Sequence, residues 1–350
     1  MRMNQILFRL SVIILAFFTL YGFLYLPTIR RYLQPHRSIN ILVLPNLLDI
    51  EFIKSFEQKT GIKVYISYFE NYEELIVKMK TVATDYDLVM ASDSAFQILK
   101  EEGLVRKFDR KKLSFANNLY EPLRSLYCDP EGHYSIPYAW ELYGIGIDKN
   151  FFDKSFPATW KLLFDTHLAP KRIGMLEDTR EVIALAAFYL FGMDKHLNEH
   201  KIKEIEKLLL NQKERVVMYT DLRTDYVLLS QMAPVALGLS SDIYTAMKNF
   251  EYIDFVIPKE GTFAIVNLIL LPKSTQKDEF IYAFLNYLFQ PHIYQQYLDR
   301  YNFFSVLKTV LPTDLRFHLE ATSKLFSLLH FFTYSIAEKQ LREIWLTLKS

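Results

Sequence analysis

The most constraining feature of the sequence is a regular alternation of strand-length and helix-length segments in its first hundred residues. Three apolar or alternating runs, Ile39–Leu44, Ile62–Tyr68 and Tyr86–Met90, are each followed by apolar residues at helical spacing. Asp49 and Gly61 are placed to begin and end the first of these helices. This β-α-β-α-β-α order predicts a mostly parallel sheet with helices on both faces.

The second half of the chain repeats this α/β style. Lys171–Leu176 is a predicted strand, and Thr179–Phe191 is a predicted apolar helix that ends at Gly192. From Asp278 onward the pattern predicts helices rich in Tyr and Phe. The other predicted strands are Val235–Leu239, Ile253–Ile257 and Phe263–Leu271. Because doubly wound sheets bind ligands at the carboxyl ends of their strands, a site is expected at that edge.

The N-terminus carries an uncharged apolar run, Leu10–Leu26, with arginines on both sides. Its seventeen residues are few for a membrane-spanning helix and slightly many for the core of a signal peptide. Residues 1–37 are therefore predicted to be a signal or anchor segment that is either removed or retained in the membrane. A buried core helix remains an alternative, although Pro27 and the flanking arginines bound the apolar run on both sides.

Length and composition bound the remaining possibilities. The chain has 350 residues, enough for two domains with sizeable cores. Charged residues make up 23%, too many for a protein with several membrane spans. The 41 basic residues are balanced by 40 acidic ones, so the composition shows no excess of positive charge that would attract nucleic acid. We expect no nucleic-acid partner.

Common enzyme and metal motifs are absent from the sequence. There is no dinucleotide fingerprint, phosphate-binding loop, zinc-protease motif or nucleophile elbow. The single cysteine, Cys128, excludes an internal disulfide. His196 and His200 have helical spacing but no third ligand in register. The sequence therefore predicts a binding protein without a cofactor or metal, and not an enzyme.

Seven short segments together point to one family. In order and spacing the chain, from Ile39 to about Leu311, resembles the bacterial spermidine/putrescine-binding proteins of ABC importers. The segments are Thr60–Val64, Tyr86–Val89, Ser135–Tyr138, Gly144–Ile147, Thr159–Trp160, Glu177–Val182 and Pro258–Gly261. The resemblance implies an α/β, two-lobed periplasmic-binding-protein architecture of type II, whose lobes close over a ligand in the cleft between them.

The resemblance also implies a domain division and a set of partners. Lobe 1 would comprise residues 38–142 and about 268–315, and lobe 2 residues 143–267 and about 316–350. The protein would bind a small solute, with a polyamine as the leading candidate, and would dock on ABC permease and ATPase subunits as a monomer. We expect it in the periplasm or on the outer face of the cytoplasmic membrane.

Polyamine capture requires carboxylates at the ammonium groups and aromatic faces along the methylenes. By the resemblance, Asp178 and Glu181 match acidic ligand residues, and Ser92 matches a position that touches ligand. Asn267 stands where the family has an aspartate. Asp178 with Glu181 is also an ordinary capping box, and Ser92 could equally cap a helix.

Other ligand positions depart from the family pattern, so most of the aromatic box is missing. The positions that differ are Leu44, Leu47, Ser94, Leu239, Ile265 and Phe303. The first five are not aromatic, and Phe303 stands where the family has a tyrosine. Tyr138, Trp140 and Tyr143 could refill the cleft or pack in the core. Two alternatives therefore remain: a binding protein for a different small solute, and a membrane-tethered enzyme or scaffold on the same fold.

Overall fold

A computed structural model describes most of the chain from Arg37 onward. The N-terminal prediction over Leu10–Leu26 lies outside the described residues, Ile14 and Thr19 excepted. Within the described part of the chain, no helix combines the length and apolar character that a membrane span requires. The described residues are 14, 19, 37–45, 47–152, 156–165, 167–168, 170–194, 196–220, 223–311, 313, 327–331 and 338–349.

The alternating elements of the first hundred residues form as predicted. Strand β1 covers Ser38–Val43, and helix α1 covers Ile50–Thr60. The Asp49 carboxylate accepts a hydrogen bond from the Glu51 N–H at 2.7 Å, and Gly61 ends the helix with a φ of 69°. The next elements are β2 (Lys63–Tyr68), α2 (Tyr72–Thr81), β3 (Leu88–Ser92), α3 (Asp93–Glu101), β4 (Val105–Arg106) and α4 (Glu121–Arg124).

The middle of the chain begins with a long strand, β5, over Ser135–Asp148. The predicted helix after β6 has the expected bounds, Thr179–Phe191, because Asp178 caps it and Gly192 ends it. The elements after β5 are α5 (Lys161–Phe164), β6 (Ile173–Met175), α6 (Thr179–Phe191), α7 (Glu199–Lys213), β7 (Val216–Tyr219), α8 (Thr224–Leu229), β8 (Val235–Leu239), α9 (Ser240–Met247) and β9 (Ile253–Val256).

The last part of the chain is less uniformly helical than predicted. Residues 303–310 form no helix; instead Phe304 exchanges backbone hydrogen bonds with Trp140 on β5. Tertiary pairing thus replaces helix formation in a stretch of apolar, helix-compatible residues. The closing elements are β10 (Thr262–Pro272), α10 (Asp278–Leu288), α11 (Pro291–Tyr301), β11 (Leu329–His330) and α12 (Glu338–Lys349).

The main path of the sheet runs in the order β2-β1-β3-β10-β5-β8-β6-β7. Strands β1, β2 and β3 are parallel to one another, as are β6, β7 and β8. The central strands β5 and β10 run antiparallel to each other, and each is antiparallel to its other neighbour on this path. The parallel prediction therefore holds within each half of the sheet, while an antiparallel pair joins the halves.

Two main hydrophobic cores lie on either side of this junction. On β5, Leu142 belongs to the first core and Tyr143 to the second. On β10, Phe263 belongs to the second core and Val266 to the first. Each central strand therefore changes from one core to the other within a few residues, which makes the two strands the covalent link between two separately packed bodies.

A glycine on β5 tests how tightly the second core packs against this link. A Cβ added at Gly144 would stand 2.9 Å from the Val256 carbonyl oxygen and overlap the Phe255 ring. We predict that Gly144→Ala lowers the free energy of unfolding by about 3 kcal/mol, because the backbone oxygen cannot move aside without disturbing β9. Denaturant unfolding followed by circular dichroism measures this change.

Gly103→Ala is the matched control for Gly144→Ala. Gly103 has a φ of 65° and open space around its Cα, so the substitution there costs only backbone strain, about 1 kcal/mol. Equal stability losses in the two variants would contradict the tight packing of β5 against β9.

Candidate ligand cleft

The carboxyl ends of parallel strands from both halves meet at the central pair. Strand β3 ends at Ser92, which lies opposite Asn267 on β10. Strand β8 ends at Leu239, which lies opposite Tyr143 on β5. The middle of the β5–β10 pair is therefore the point where both halves present their strand ends, the usual location of a ligand site in such sheets.

Strand register shows which side chains share a face at this point. Asn267 lies opposite Ser92 on one side and Ala139 on the other, and Ile265 lies opposite Glu141. Directly opposed residues point to the same face of a sheet, and side chains alternate faces along a strand. These five side chains therefore share one face.

Leu239 joins the same face from the second half. It lies opposite Tyr143, which follows Glu141 by two residues on β5. Leu239 and Ile265 are only partly buried, so their aliphatic side chains contribute accessible surface there. The structure thus brings four predicted site residues together around Glu141: Ser92, Leu239, Ile265 and Asn267.

Ser92 also fills the structural role that its sequence context allowed. Its hydroxyl accepts a hydrogen bond from the Ala95 N–H at 3.4 Å and thereby caps α3. The Ser92 and Ser94 hydroxyl oxygens are 3.0 Å apart. The two predicted serines therefore lie together at the end of β3, beside the face that carries Asn267.

The Asp178 carboxylate caps α6 and faces the other half of the molecule. One of its oxygens accepts hydrogen bonds from the Arg180 N–H at 2.8 Å and the Glu181 N–H at 3.0 Å. Burial raises the pKa of Asp178 against the effect of these bonds, and the charge of Glu73 adds to the rise. Since Glu73 belongs to α2 in the first half, Asp178 lies where the halves approach each other.

Three other predicted positions pack with the first core. Leu47 and Phe303 are buried there, and Leu44 packs against the same core. The Phe303 ring lies 5.8 Å from the Tyr297 ring, centroid to centroid. These contacts associate the three side chains with the core of the first half rather than with the residues around Glu141.

The possibility that Tyr138 and Trp140 refill the aromatic box is wrong for this structure. Both alternate with Ala139 and Glu141 and so point to the opposite face of β5. The Trp140 Nε1–H donates to the Ser305 carbonyl oxygen at 2.8 Å, and both aromatic side chains are buried in the first core. Tyr143 does lie on the Glu141 face, where it is buried in the second core.

Glu141 is the central residue that the sequence patterns did not identify as part of a site. Only 6% of its surface is exposed, and its carboxylate accepts a hydrogen bond from the Ser241 hydroxyl at 2.5 Å. Burial raises its pKa to about 7; Asp242 adds to the rise, whereas the Ser241 hydrogen bond and the nearby Asn267 amide oppose it. It is the one charged residue between Ser135 and Ile147, a signal that was readable in the sequence.

Two further aspartates, the half-buried Asp242 and the buried Asp93, border this region. Asp242, at the start of α9, accepts a hydrogen bond from the Thr224 N–H at 3.4 Å, and burial raises its pKa. Asp93, at the start of α3, accepts one from the Val266 N–H at 3.3 Å, and burial raises its pKa to about 6. Carboxylates that are buried or half-buried therefore reach the junction from both halves.

Asn267 has an unusual place among these acids. It is 4% exposed, and its amide lies close enough to Glu141 to lower the pKa of that carboxyl. Nevertheless its Nδ2 has no partner in hydrogen-bonding geometry among the described residues. A buried donor without a partner carries a desolvation cost, and such atoms often mark a place that a ligand or water fills.

The described residues contain no group of three or more His, Cys, Asp or Glu side chains arranged to hold a metal ion. His200 lies on α7 with its Nε2 4.0 Å from Glu204, and its side chain is mostly exposed. Cys128 is a buried free thiol.

Comparisons with known proteins agree with this architecture. The putrescine-binding periplasmic protein SpuD of Pseudomonas aeruginosa is 28% identical over 264 residues, covering 71% of this chain and 72% of SpuD. The spermidine/putrescine-binding periplasmic protein of Escherichia coli is 28% identical over 248 residues, 70% of each chain. The chain is thus similar over most of its length to named polyamine-binding proteins.

Solved structures show the same two-lobed fold. The TpPotD lipoprotein of Treponema pallidum superposes with a TM-score of 0.77 at 24% identity, covering 89% of this chain and 99% of that one. The spermidine/putrescine substrate-binding protein PotD of Streptococcus pneumoniae superposes with a TM-score of 0.76 at 20% identity. The match covers 89% of this chain and 98% of PotD. The predicted fold class, an α/β periplasmic-binding-protein architecture with a cleft between two lobes, is confirmed.

A family model matches most of the described chain. It is the model for bacterial extracellular solute-binding proteins, and it aligns with residues 51–318. That range includes β5, β10 and the strand ends that meet at Glu141. The chain therefore belongs to the family of bacterial extracellular solute-binding proteins.

Proposed function

We propose that this protein is the extracytoplasmic solute-binding subunit of an ABC importer and that its solute is a polyamine. The names of its relatives support this assignment, since SpuD binds putrescine and the Escherichia coli relative binds spermidine and putrescine. The proposal rests on one structural observation above all: buried and half-buried carboxylates, Glu141 and Asp93 from the first half and Asp242 from the second, collect at the junction between the lobes.

Such a site suits a flexible cation. Each ammonium group of a polyamine gains about 1.5–3 kcal/mol from a charge-assisted hydrogen bond to a carboxylate. Asp178 and Glu181 on α6 would hold one end of the ligand, with Ser92 and Asn267 supplying further hydrogen bonds. Polyamine nitrogens stay charged at neutral pH, like the lysine amine, so the ligand offsets the charge that burial otherwise disfavours.

The polyamine would meet walls that are more aliphatic than aromatic. Leu239 and Ile265 are partly exposed on the Glu141 face and would contact the methylene groups of the chain. Aliphatic contacts bury apolar area but lack the attraction of an aromatic ring for a cation. We therefore expect the acidic groups, rather than the walls, to provide most of the selectivity for amines.

Capture would occur by closure of two lobes about β5 and β10. We assign residues 38–142 with about 268–315 to lobe 1, and residues 143–267 with about 316–350 to lobe 2. Closure brings α2 towards α6, and a bound cation between Glu73 and Asp178 would favour the closed state over the open one. The closed monomer would then dock on permease and ATPase subunits.

Catalysis is not part of this proposal, since binding and release require no bond to form or break. The N-terminal segment, residues 1–37, would export the protein and either be cleaved or remain as an anchor. In both cases the lobes would lie in the periplasm or on the outer face of the cytoplasmic membrane.

Calorimetry against a panel of solutes tests the polyamine assignment. We predict that the full-length protein in mild detergent binds putrescine or spermidine in the micromolar range, and that neutral sugars and amino acids produce no heat. Binding of a sugar or an amino acid, without binding of any polyamine, would favour the alternative of a different solute.

Loss of the Asp178 or Glu181 charge should weaken polyamine binding by about 10- to 100-fold, the equivalent of one charge-assisted hydrogen bond. The variants are Asp178→Asn and Glu181→Gln. Asparagine caps a helix as well as aspartate does, so α6 keeps its cap while the ligand loses a carboxylate. Calorimetry with putrescine measures the loss.

Asp148→Asn is the matched control for these charge changes. Asp148 also accepts a backbone hydrogen bond, from the Asn150 N–H at 2.9 Å, but it lies at the far end of β5. The Asp148→Asn variant should bind putrescine with the same affinity as the unmodified protein. Unchanged affinity in Asp178→Asn and Glu181→Gln would remove both residues from the binding site.

A further inference from the structure

The Glu141 carboxylate is buried at the junction of the lobes, and no cation of the described residues contributes to its pKa. Buried carboxylates are normally paired with Arg, Lys or a metal. In the described part of the chain, the groups that affect Glu141 are the Ser241 hydroxyl, the Asn267 amide and the Asp242 carboxylate. None of them carries a positive charge.

The groups around Glu141 stabilise its ionised carboxylate only in part. Ser241 donates one hydrogen bond to the carboxylate, and the Asn267 Nδ2, which has no partner in hydrogen-bonding geometry within the described chain, lies near it. Two neutral donors favour the ionised form, but Asp242 and burial oppose it. The missing component is therefore a cation, and nothing on the neighbouring elements of the described chain supplies one.

The other titratable group that faces Glu141 does not change this conclusion. Tyr297, on α11, is buried, and the charge of Glu141 helps to raise its pKa. A tyrosine with a raised pKa stays neutral in the physiological range. Among the described residues, the groups that affect the charge of Glu141 or respond to it are thus a second carboxylate, an amide, a hydroxyl and a neutral phenol, and none of them is a cation.

We propose that Glu141 is a ligand-binding residue and that its carboxylate receives an ammonium group of the solute at the centre of the cleft, with Ser241 and Asn267 positioning it. The proposal rests on the proposed polyamine function. The Asn267 Nδ2, buried and without a partner in hydrogen-bonding geometry among the described residues, is a second sign that this place is built for an occupant. Glu141 and Asp178 would then hold ammonium groups of one ligand from the centre and the rim of the cleft.

The pKa of Glu141 makes this role measurable. Its free carboxyl has a pKa of about 7, so it is mostly protonated at pH 6 and mostly ionised at pH 8. A bound ammonium group favours the ionised form, so binding at pH 6 should release about 0.9 proton from Glu141 and binding at pH 8 about 0.1. The affinity for putrescine should therefore rise by about 10-fold from pH 6 to pH 8.

The test is calorimetry of putrescine binding to the full-length protein in buffers of different ionisation enthalpy, which counts released protons. Putrescine is the probe because its two amines, like that of lysine, remain charged between pH 6 and pH 8. Glu141→Gln should weaken binding at pH 8 by at least 10-fold and abolish most of the proton release at pH 6. Glu251→Gln removes an exposed charge from the other lobe, outside the junction, and should change neither quantity.

Moving the charge distinguishes a binding role from a structural one. The double variant Glu141→Gln/Asn267→Asp returns one carboxylate to the same face, on the adjacent strand, and should recover most of the affinity lost in Glu141→Gln. Misfolding is checked by thermal unfolding: the free Glu141→Gln protein should unfold at a higher temperature than the unmodified protein at pH 8, because it no longer buries a charge.

Each outcome has a definite meaning. Putrescine affinity and proton release that are the same in Glu141→Gln and the unmodified protein would make Glu141 a structural hydrogen-bonding group and overturn the inference, while the proposed function stands. Failure of the unmodified protein to bind any polyamine would overturn both.

Discussion

The antiparallel pairing of β5 with β10 is the interaction on which the rest of the structure depends. Both strands leave one hydrophobic core and enter the other within a few residues, so they hold two packed bodies together without merging them. The same pairing places Asn267 and Glu141 on one face, at the point where β3 and β8 end. The proposed hinge and the candidate ligand site are therefore two consequences of a single strand register.

The chemical character of the site follows from what this junction buries. A cleft that closes must bring polar groups from both lobes into a region of low water content, where an uncompensated charge is costly. Glu141, Asp93 and Asp242 accept that cost in the free protein, as their raised pKa values show. A bound multivalent cation would relieve this cost, so under the proposed function the same acids would favour closure around a polyamine.

Much of the fold could be predicted from local patterns, and the failures have physical causes. Helices α1 and α6 have their predicted positions because their caps, Asp49 and Asp178, act within a few residues. The antiparallel centre of the sheet could not be read from strand patterns, since strand direction depends on long-range pairing. The irregular stretch around Phe304 escaped prediction for the same reason: its backbone pairs with Trp140, far away in the chain.

For the candidate site, the resemblance identified several positions but not the buried carboxylate at their centre. The side chains of Ser92, Asn267, Ile265 and Leu239 do meet on one face. Glu141 was not singled out, because the strand around it otherwise has the apolar composition of buried core.

The most direct test of the account is a crystal structure of the protein with bound putrescine. The account predicts closed lobes, with one amine nitrogen within hydrogen-bonding distance of the Glu141 carboxylate and the other near Asp178. A putrescine molecule bound outside the junction, or a closed cleft in which Glu141 contacts only Ser241 and Asn267, would contradict it.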